Sequence, residues 1–295
     1  MIPLVISSKR IASFDGFELT YHVAGSSGPW VVLANGLGAG IAAWRNQIAY
    51  LGDQVRILAW DYRRLFASDD GDGVGLAKVS PADLLETHVK DLQTLLIAEN
   101  IEGGLWMGWS FGAQVLVEMF RSLGPRPDQL VLVNPCYGCR PHDPGGMQRF
   151  FPRLVGALEW FPKTIERVVR RTASWPETAS WFKRLGFVAS TIDDDGLADI
   201  AEHLRSVNSS AFLHYLRATT SHRIDGILGG INVPTLVIVG EKDGITTRPN
   251  AETLAKQIPY VELFVVRNGT HFVLMEFPEL VNLRVEKFLR EHPRP

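Results

Sequence analysis

The sequence predicts an α/β fold: a mostly parallel central sheet covered by helices on both faces, with a helical cap inserted into it. Three observations carry this. Short apolar runs such as "WVVLA" (30–34) and "QLVLVN" (129–134) have the signature of strands buried on both faces. These runs alternate with segments of helical spacing, the rhythm of a parallel sheet. The rhythm stops near Tyr137 and resumes after Gly226, and no convincing strand lies between.

Each element has its own signal. "FELTYHV" (17–23) alternates and is rich in β-formers, and the turn "SFDG" precedes it. "WVVLA" is bounded by Gly28-Pro29 and Asn35-Gly36. "IAAWRNQIAYL" (41–51) has helical spacing, and "VRILAW" (55–60) is a strand ended by Asp61. Pro81 opens an amphipathic helix to about Asn100, with Leu84, Leu85, Val89, Leu92, Leu95 and Leu96 on one face. "GLWMG" (104–108) reads as a strand, "FGAQVLVEMFRSLG" (111–124) as a helix and "QLVLVN" as the next strand. After Gly226 come "PTLVIVG" (234–240), a helix near 249–258, "VELFVV" (261–266) and a last helix to about Leu289.

The stretch 137–226 is helical and rich in large aromatics, among them Trp160, Trp175, Trp181, Phe212 and Tyr215. They have no sheet of their own to pack on. The segment therefore reads as a cap over the sheet edge, inserted into a core made of residues 1–136 and 227–295.

Composition narrows the function. The chain has 295 residues, 46% hydrophobic and 21% charged, enough to bury a sizeable core. A formal net charge of −2 points to neither nucleic acid nor an anionic membrane. Two cysteines rule out a disulfide-dense scaffold. "MIPLVISSKR" lacks a basic region before its short apolar run, and no run approaches the ~18 to 20 residues of a membrane span. The expectation is a soluble, cytoplasmic protein. Nothing in the sequence indicates an oligomeric state.

One motif carries chemistry. Gly108-Trp109-Ser110-Phe111-Gly112 matches G-x-S-x-G in strand–turn–helix context, which exposes a serine at the carboxyl end of the sheet. The helix begun at Phe111 points its N-terminus at the site, favouring an oxyanion. A serine needs a base. Of eight histidines, His271 alone follows the last strand through a loop, "RNGT", and precedes a helix. His22, His88, His142, His203, His214, His222 and His292 read as surface or core residues. The histidine needs an acid to orient it. Asp243 follows "TLVIVG" in the loop "EKDG", and Glu241, two residues earlier, is the lesser rival. Two backbone N–H groups should hold the oxyanion: Phe111, and Leu37 in the loop Asn35-Gly36-Leu37-Gly38. Asn35, Gly36, Trp44 and Trp109 are expected around the substrate pocket with the cap aromatics.

These residues resemble the α/β-hydrolase superfamily. The likeness runs through "NGLG", Trp44 with Gln47, "DYRR", "GWSFG", "GEKD" and "NGTHF..MEFPE", nearly the whole chain. It implies an α/β-hydrolase fold with the cap inserted after the sixth strand, and a Ser-His-Asp hydrolase in the order Ser110, Asp243, His271. "NGLG" with Trp44 and Gln47 is also similar to enol-lactonases and related carboxylester hydrolases. The implied activity is hydrolysis of small hydrophobic carboxylic esters, with no cofactor and no metal. The same triad serves lactonases, C–C hydrolases, perhydrolases and acyltransferases, and a ligand-binding sensor with a slow triad is the alternative of another kind. Two departures stand out. Asn35 replaces the family's usual histidine, and in "DYRRLFASD" Arg64 and Phe66 replace two glycines. Either side chain is a candidate for shaping substrate entry.

Other features read as structural. Cys136, Cys139 and His142 lack an evident fourth ligand for zinc. Asp193 to Asp195 precede a helix and suit an N-cap. Arg167 to Arg171 read as an exposed helix face. Asp69, Asp70 and Asp72 lack the terminal Glu of a calcium loop.

Overall fold

The structure is a computed structural model describing residues 5–66, 80–135, 183, 188–224 and 226–294. One sheet holds eight strands: β1 (Ser7–Ala12), β2 (Glu18–Ala24), β3 (Trp30–Ala34), β4 (Arg56–Trp60), β5 (Leu105–Trp109), β6 (Gln129–Val133), β7 (Thr235–Gly240) and β8 (Val261–Val266). Their order is β1-β2-β4-β3-β5-β6-β7-β8. β1 pairs β2 and β2 pairs β4 antiparallel, and every later pairing is parallel. This is the α/β-hydrolase architecture expected from the sequence. The strand with no sequence signal is β1. Its residues are nearly all exposed, so it carries no apolar alternation and exists by pairing with β2.

Around the sheet lie α1 (Arg45–Leu51), α2 (Pro81–Ala98), α3 (Phe111–Glu118), α4 (Asp194–Ser206), α5 (Ser209–Ser221), α6 (Arg248–Ala255), α7 (Val273–Glu276) and α8 (Pro278–Glu291). Alternate strand residues feed two cores. Val32, Ala34 and Trp106 pack with α2, α3, α5 and α6 on one face. Val31, Leu33, Leu105, Met107 and Trp109 pack with α1, α7 and α8 on the other. That double burial is why β3 and β5 read as unbroken apolar runs. α2 is capped by Ser80, which accepts from Asp83 N with Pro81 behind it.

Of residues 137–226, the described part is helical. α4 is capped by Asp193, whose carboxylate accepts from Gly196 N, as the Asp193 to Asp195 run suggested. α5 is capped by Asn208. The junction between α4 and α5, and α5 itself, sit on the loop after β4. Phe66 bridges Val207. Asn208 N donates to Leu65 O at 2.9 Å, and Tyr215 Oη donates to Arg63 O at 2.9 Å. Cys136, Cys139, His142, Arg167 to Arg171 and Asp69, Asp70 and Asp72 lie outside the described residues.

Candidate active site

Ser110 sits between the last residue of β5 and the first of α3, with φ 54° and ψ −112°. A left-handed φ is strained for a non-glycine residue and turns the chain sharply enough to aim the hydroxyl outward. The flanking glycines make the turn possible. A Cβ on Gly108 would lie 2.8 Å from Ala113 Cα, and one on Gly112 only 2.1 Å from Ala34 O. α3 can fold back over β5 and against β3 only because both positions lack side chains.

His271 Nε2 lies 2.9 Å from Ser110 Oγ, and its Nδ1 lies 2.8 Å from Asp243 Oδ2. Residues 110, 243 and 271 thus converge from three strand ends. Asp243 is buried, and every lone pair facing inward has a partner. Oδ1 accepts from Ile245 N at 2.7 Å and Thr246 N at 2.8 Å, while Thr246 Oγ1 stands 2.6 Å from Oδ2. Burial pushes the Asp243 carboxyl up. The His271 charge, the His271 hydrogen bond and the Thr246 contacts outweigh it and hold the group below its ordinary 3.8. Glu241 turns away: its Oε2 accepts from Asn268 N at 3.0 Å.

The histidine is held by its backbone as well. The His271 carbonyl accepts from Trp109 Nε1 at 2.9 Å and from Asn134 Nδ2 at 2.8 Å. Trp109 therefore ties the serine turn to the histidine loop. Asn134, just past β6 with φ 44°, also donates to Thr270 O and accepts from Gly240 N. It fastens β6, β7 and the histidine loop together. Asn134, Thr246 and Glu276 carry no motif in the sequence: the partners of Asn134 are more than 100 residues away, and those of Thr246 and Glu276 include nearby loop residues with no periodic pattern. The one local signal was an asparagine closing a buried strand, since Asn tolerates the left-handed region.

The four residues expected around the pocket are engaged from behind. Asn35 is fully buried, donating to Trp60 O at 2.9 Å and accepting from Trp44 Nε1 at 3.0 Å. Trp44 is equally buried. Gly36 abuts the Trp109 ring, where a Cβ would come within 2.7 Å. The Tyr62 hydroxyl donates to Asn35 O at 2.6 Å. These contacts fix the loop that carries Leu37. Phe111, as first residue of α3, has an N–H with no acceptor inside its helix. Neither that N–H nor the N–H of Leu37 has an acceptor among the described residues. Arg64 takes φ 56° and lays its guanidinium 5.6 Å from the Phe17 ring centre, beside the β1–β2 turn. No cluster of three His, Cys, Asp or Glu suited to a metal occurs among the described residues. Among them no helix is long and apolar enough to cross a membrane.

Comparison with known proteins gives a consistent result. The model of the alpha/beta hydrolase family matches residues 31–284. The RutD protein of Agrobacterium fabrum, whose name assigns it carbamate hydrolysis, is 26% identical over 88% of this chain and 93% of its own. The 3-oxoadipate enol-lactonase 1 of Acinetobacter baylyi is 23% identical over 93% of this chain and 94% of its own. Among solved structures, the esterase EaEST from Exiguobacterium antarcticum superposes with a TM-score of 0.78 at 19% identity, covering 96% of this chain and 100% of that one.

Proposed function

From the premise that this chain belongs to the alpha/beta hydrolase family, and so to a family of hydrolases, we propose that it cleaves carboxylic esters of hydrophobic small molecules through an acyl-enzyme on Ser110. The observation that carries this reading is the hydrogen-bonded line from Ser110 Oγ through His271 to Asp243, at 2.9 and 2.8 Å. A hydroxyl beside an imidazole that a buried carboxylate orients is an activated nucleophile.

The reaction follows from the atoms. His271 Nε2 takes the Ser110 proton as Oγ attacks the ester carbonyl carbon. The Phe111 and Leu37 N–H groups stabilise the oxyanion of the tetrahedral intermediate. His271 then protonates the departing alcohol. Water, deprotonated by the same nitrogen, releases the acid and restores the serine. Asp243, held below its ordinary range, stays ionised and stabilises the imidazolium. Asn35, Gly36, Trp44 and Trp109, all buried, support the loops around the pocket from behind rather than line it, and the segment that carries α4 and α5 serves as its cap. The enzyme acts without cofactor or metal, on a small ester rather than on nucleic acid.

Lactone opening is the second reading, supported by the enol-lactonase relative, because the same attack on a cyclic ester needs no new group. A panel of p-nitrophenyl esters, lactones and a carbamate, run beside a fluorophosphonate label, tests the proposal. The wild type should turn over esters and take the label, and Ser110→Ala should do neither. Labelling that survives in Ser110→Ala overturns the nucleophile. Binding without turnover overturns the enzyme in favour of a sensor.

A further inference from the structure

Glu276 lies in α7, five residues beyond His271, and is buried. Its carboxylate takes three donors. Oε2 accepts from Thr270 N at 2.7 Å, and Oε1 accepts from Thr270 Oγ1 at 2.5 Å and from Ala189 N at 2.6 Å. Two of these donors belong to the residue just before His271. The third belongs to the chain entering α4, in the segment read as the cap. Among the described residues these N–H and O–H groups are the partners of the buried carboxyl.

We infer that Glu276 is a positioning residue that couples the seating of the cap to the placement of His271. The geometry requires one carboxylate to serve both loops. If Ala189 N moves away, Oε1 loses one of its two donors, and the carboxylate that clamps Thr270 is free to shift. The His271 carbonyl is fixed from the other side by Trp109 and Asn134. Asn134 holds Thr270 O as well, so the Glu276 contacts to Thr270 N and Oγ1 are the part of this clamp that the cap segment reaches. Small misplacements of a catalytic base cost rate steeply, about 100-fold for an ångström. The cap thereby acts on the chemical step as well as on binding. This inference rests on the Ser110 reading above.

The test uses Glu276→Gln, Ala189→Pro and their combination in the full chain. Ala189→Pro removes the N–H that crosses from the cap segment, and Ala189→Gly, which keeps that N–H while changing the same backbone position, controls for the change in backbone freedom. Glutamine has one acceptor oxygen where glutamate has two, and its NH2 must face a donor. Rates are measured with p-nitrophenyl acetate and divided by the number of sites a fluorophosphonate labels, so unfolded protein does not count. Ala189→Pro should lower kcat per labelled site about 10-fold with KM nearly unchanged, and Glu276→Gln up to about 100-fold. The double variant should be no slower than Glu276→Gln, because Glu276→Gln already breaks the Thr270 clamp through which the Ala189 N–H acts. Wild-type kcat in Ala189→Pro, or effects that multiply in the double variant, overturns the coupling. If Glu276→Gln yields no folded protein, the Ala189→Pro result alone decides. Failure of the Ser110 reading is seen separately, as labelling of Ser110→Ala.

Discussion

Two buried histidines flank the same turn and differ in every respect that matters for chemistry. His271 stands on one side of Ser110 with both ring nitrogens engaged, Nε2 by the serine and Nδ1 by Asp243. His88, on α2, packs edge-on against the Phe111 ring at 5.7 Å between ring centres, on the other side. It is fully buried beside Tyr62, Phe111 and Tyr215, and among the described residues neither of its nitrogens has a hydrogen-bond partner. Asp91 Oδ2 is 3.7 Å from Nδ1, beyond hydrogen-bond range, and Arg63 already occupies that carboxylate at 2.6 and 2.5 Å. Burial is common to both histidines. What separates them is whether a proton has somewhere to come from and somewhere to go.

The sharpest way to break this contrast is to delete each ring. His271→Ala should lower kcat/KM roughly 10⁴- to 10⁶-fold while the fold persists, because the proposed base is lost and the ring packs on Trp109 and Phe272 at the edge of the core. His88→Leu should keep kcat/KM within about tenfold, since the ring touches Phe111 only through its side chain. Comparable losses from both would mean that His88 takes part in the site. Steady-state kinetics on one p-nitrophenyl ester, with circular dichroism to count folded protein, settles it.

His88 should reveal itself instead through stability against pH. Burial, helped by the Arg63 charge, pushes its pKa down from 6.5 to about 3. The unfolded chain therefore binds a proton below 6.5 that the native state refuses until about 3. Stability falls as pH drops through that window, by at most about 1.4 kcal/mol per pH unit from this group. His88→Leu removes the penalty. Denaturant unfolding at pH 7 and pH 4.5 should show a smaller acid loss for the variant. An equal loss would mean that the ring is protonated, and partnered, in the native state. Asp243 works in the opposite sense. Its depressed carboxyl stabilises the fold above 3.8, and that contribution goes as pH falls below it.

The same contrast explains what the sequence could disclose. Ser110, Asp243 and His271 were legible because each stands just past an apolar run, and a strand's carboxyl end is marked by where its run stops. The two-core sheet was legible for the same reason: Val31 to Ala34 and Leu105 to Met107 are buried on both faces. β1 was not, since an exposed edge strand has no pattern of its own. Nor were the supports. Trp109, Asn134 and Glu276 act on the histidine loop through side-chain bonds, two of them spanning more than 130 residues, and pairings of that kind leave no periodicity. Trp109 was visible as an oddity beside the serine, but its partner was not.

Arg64 provides the smallest test, and it bears on a substitution rather than on a partner. The residue occupies a position where the family commonly has glycine, and its φ of 56° is the conformation that glycine takes freely. A side chain there costs about 1 kcal/mol, which the contact with Phe17 offsets only in part. Arg64→Gly should therefore raise stability by about 1 kcal/mol or less, read as a small upward shift in Tm. Its guanidinium points to the β1–β2 turn and not to Ser110, so kcat/KM should stay within about twofold across short and long esters. A selective gain with bulky esters would return Arg64 to the entrance of the pocket, and a fall in Tm would mean that the Phe17 contact outweighs the backbone strain.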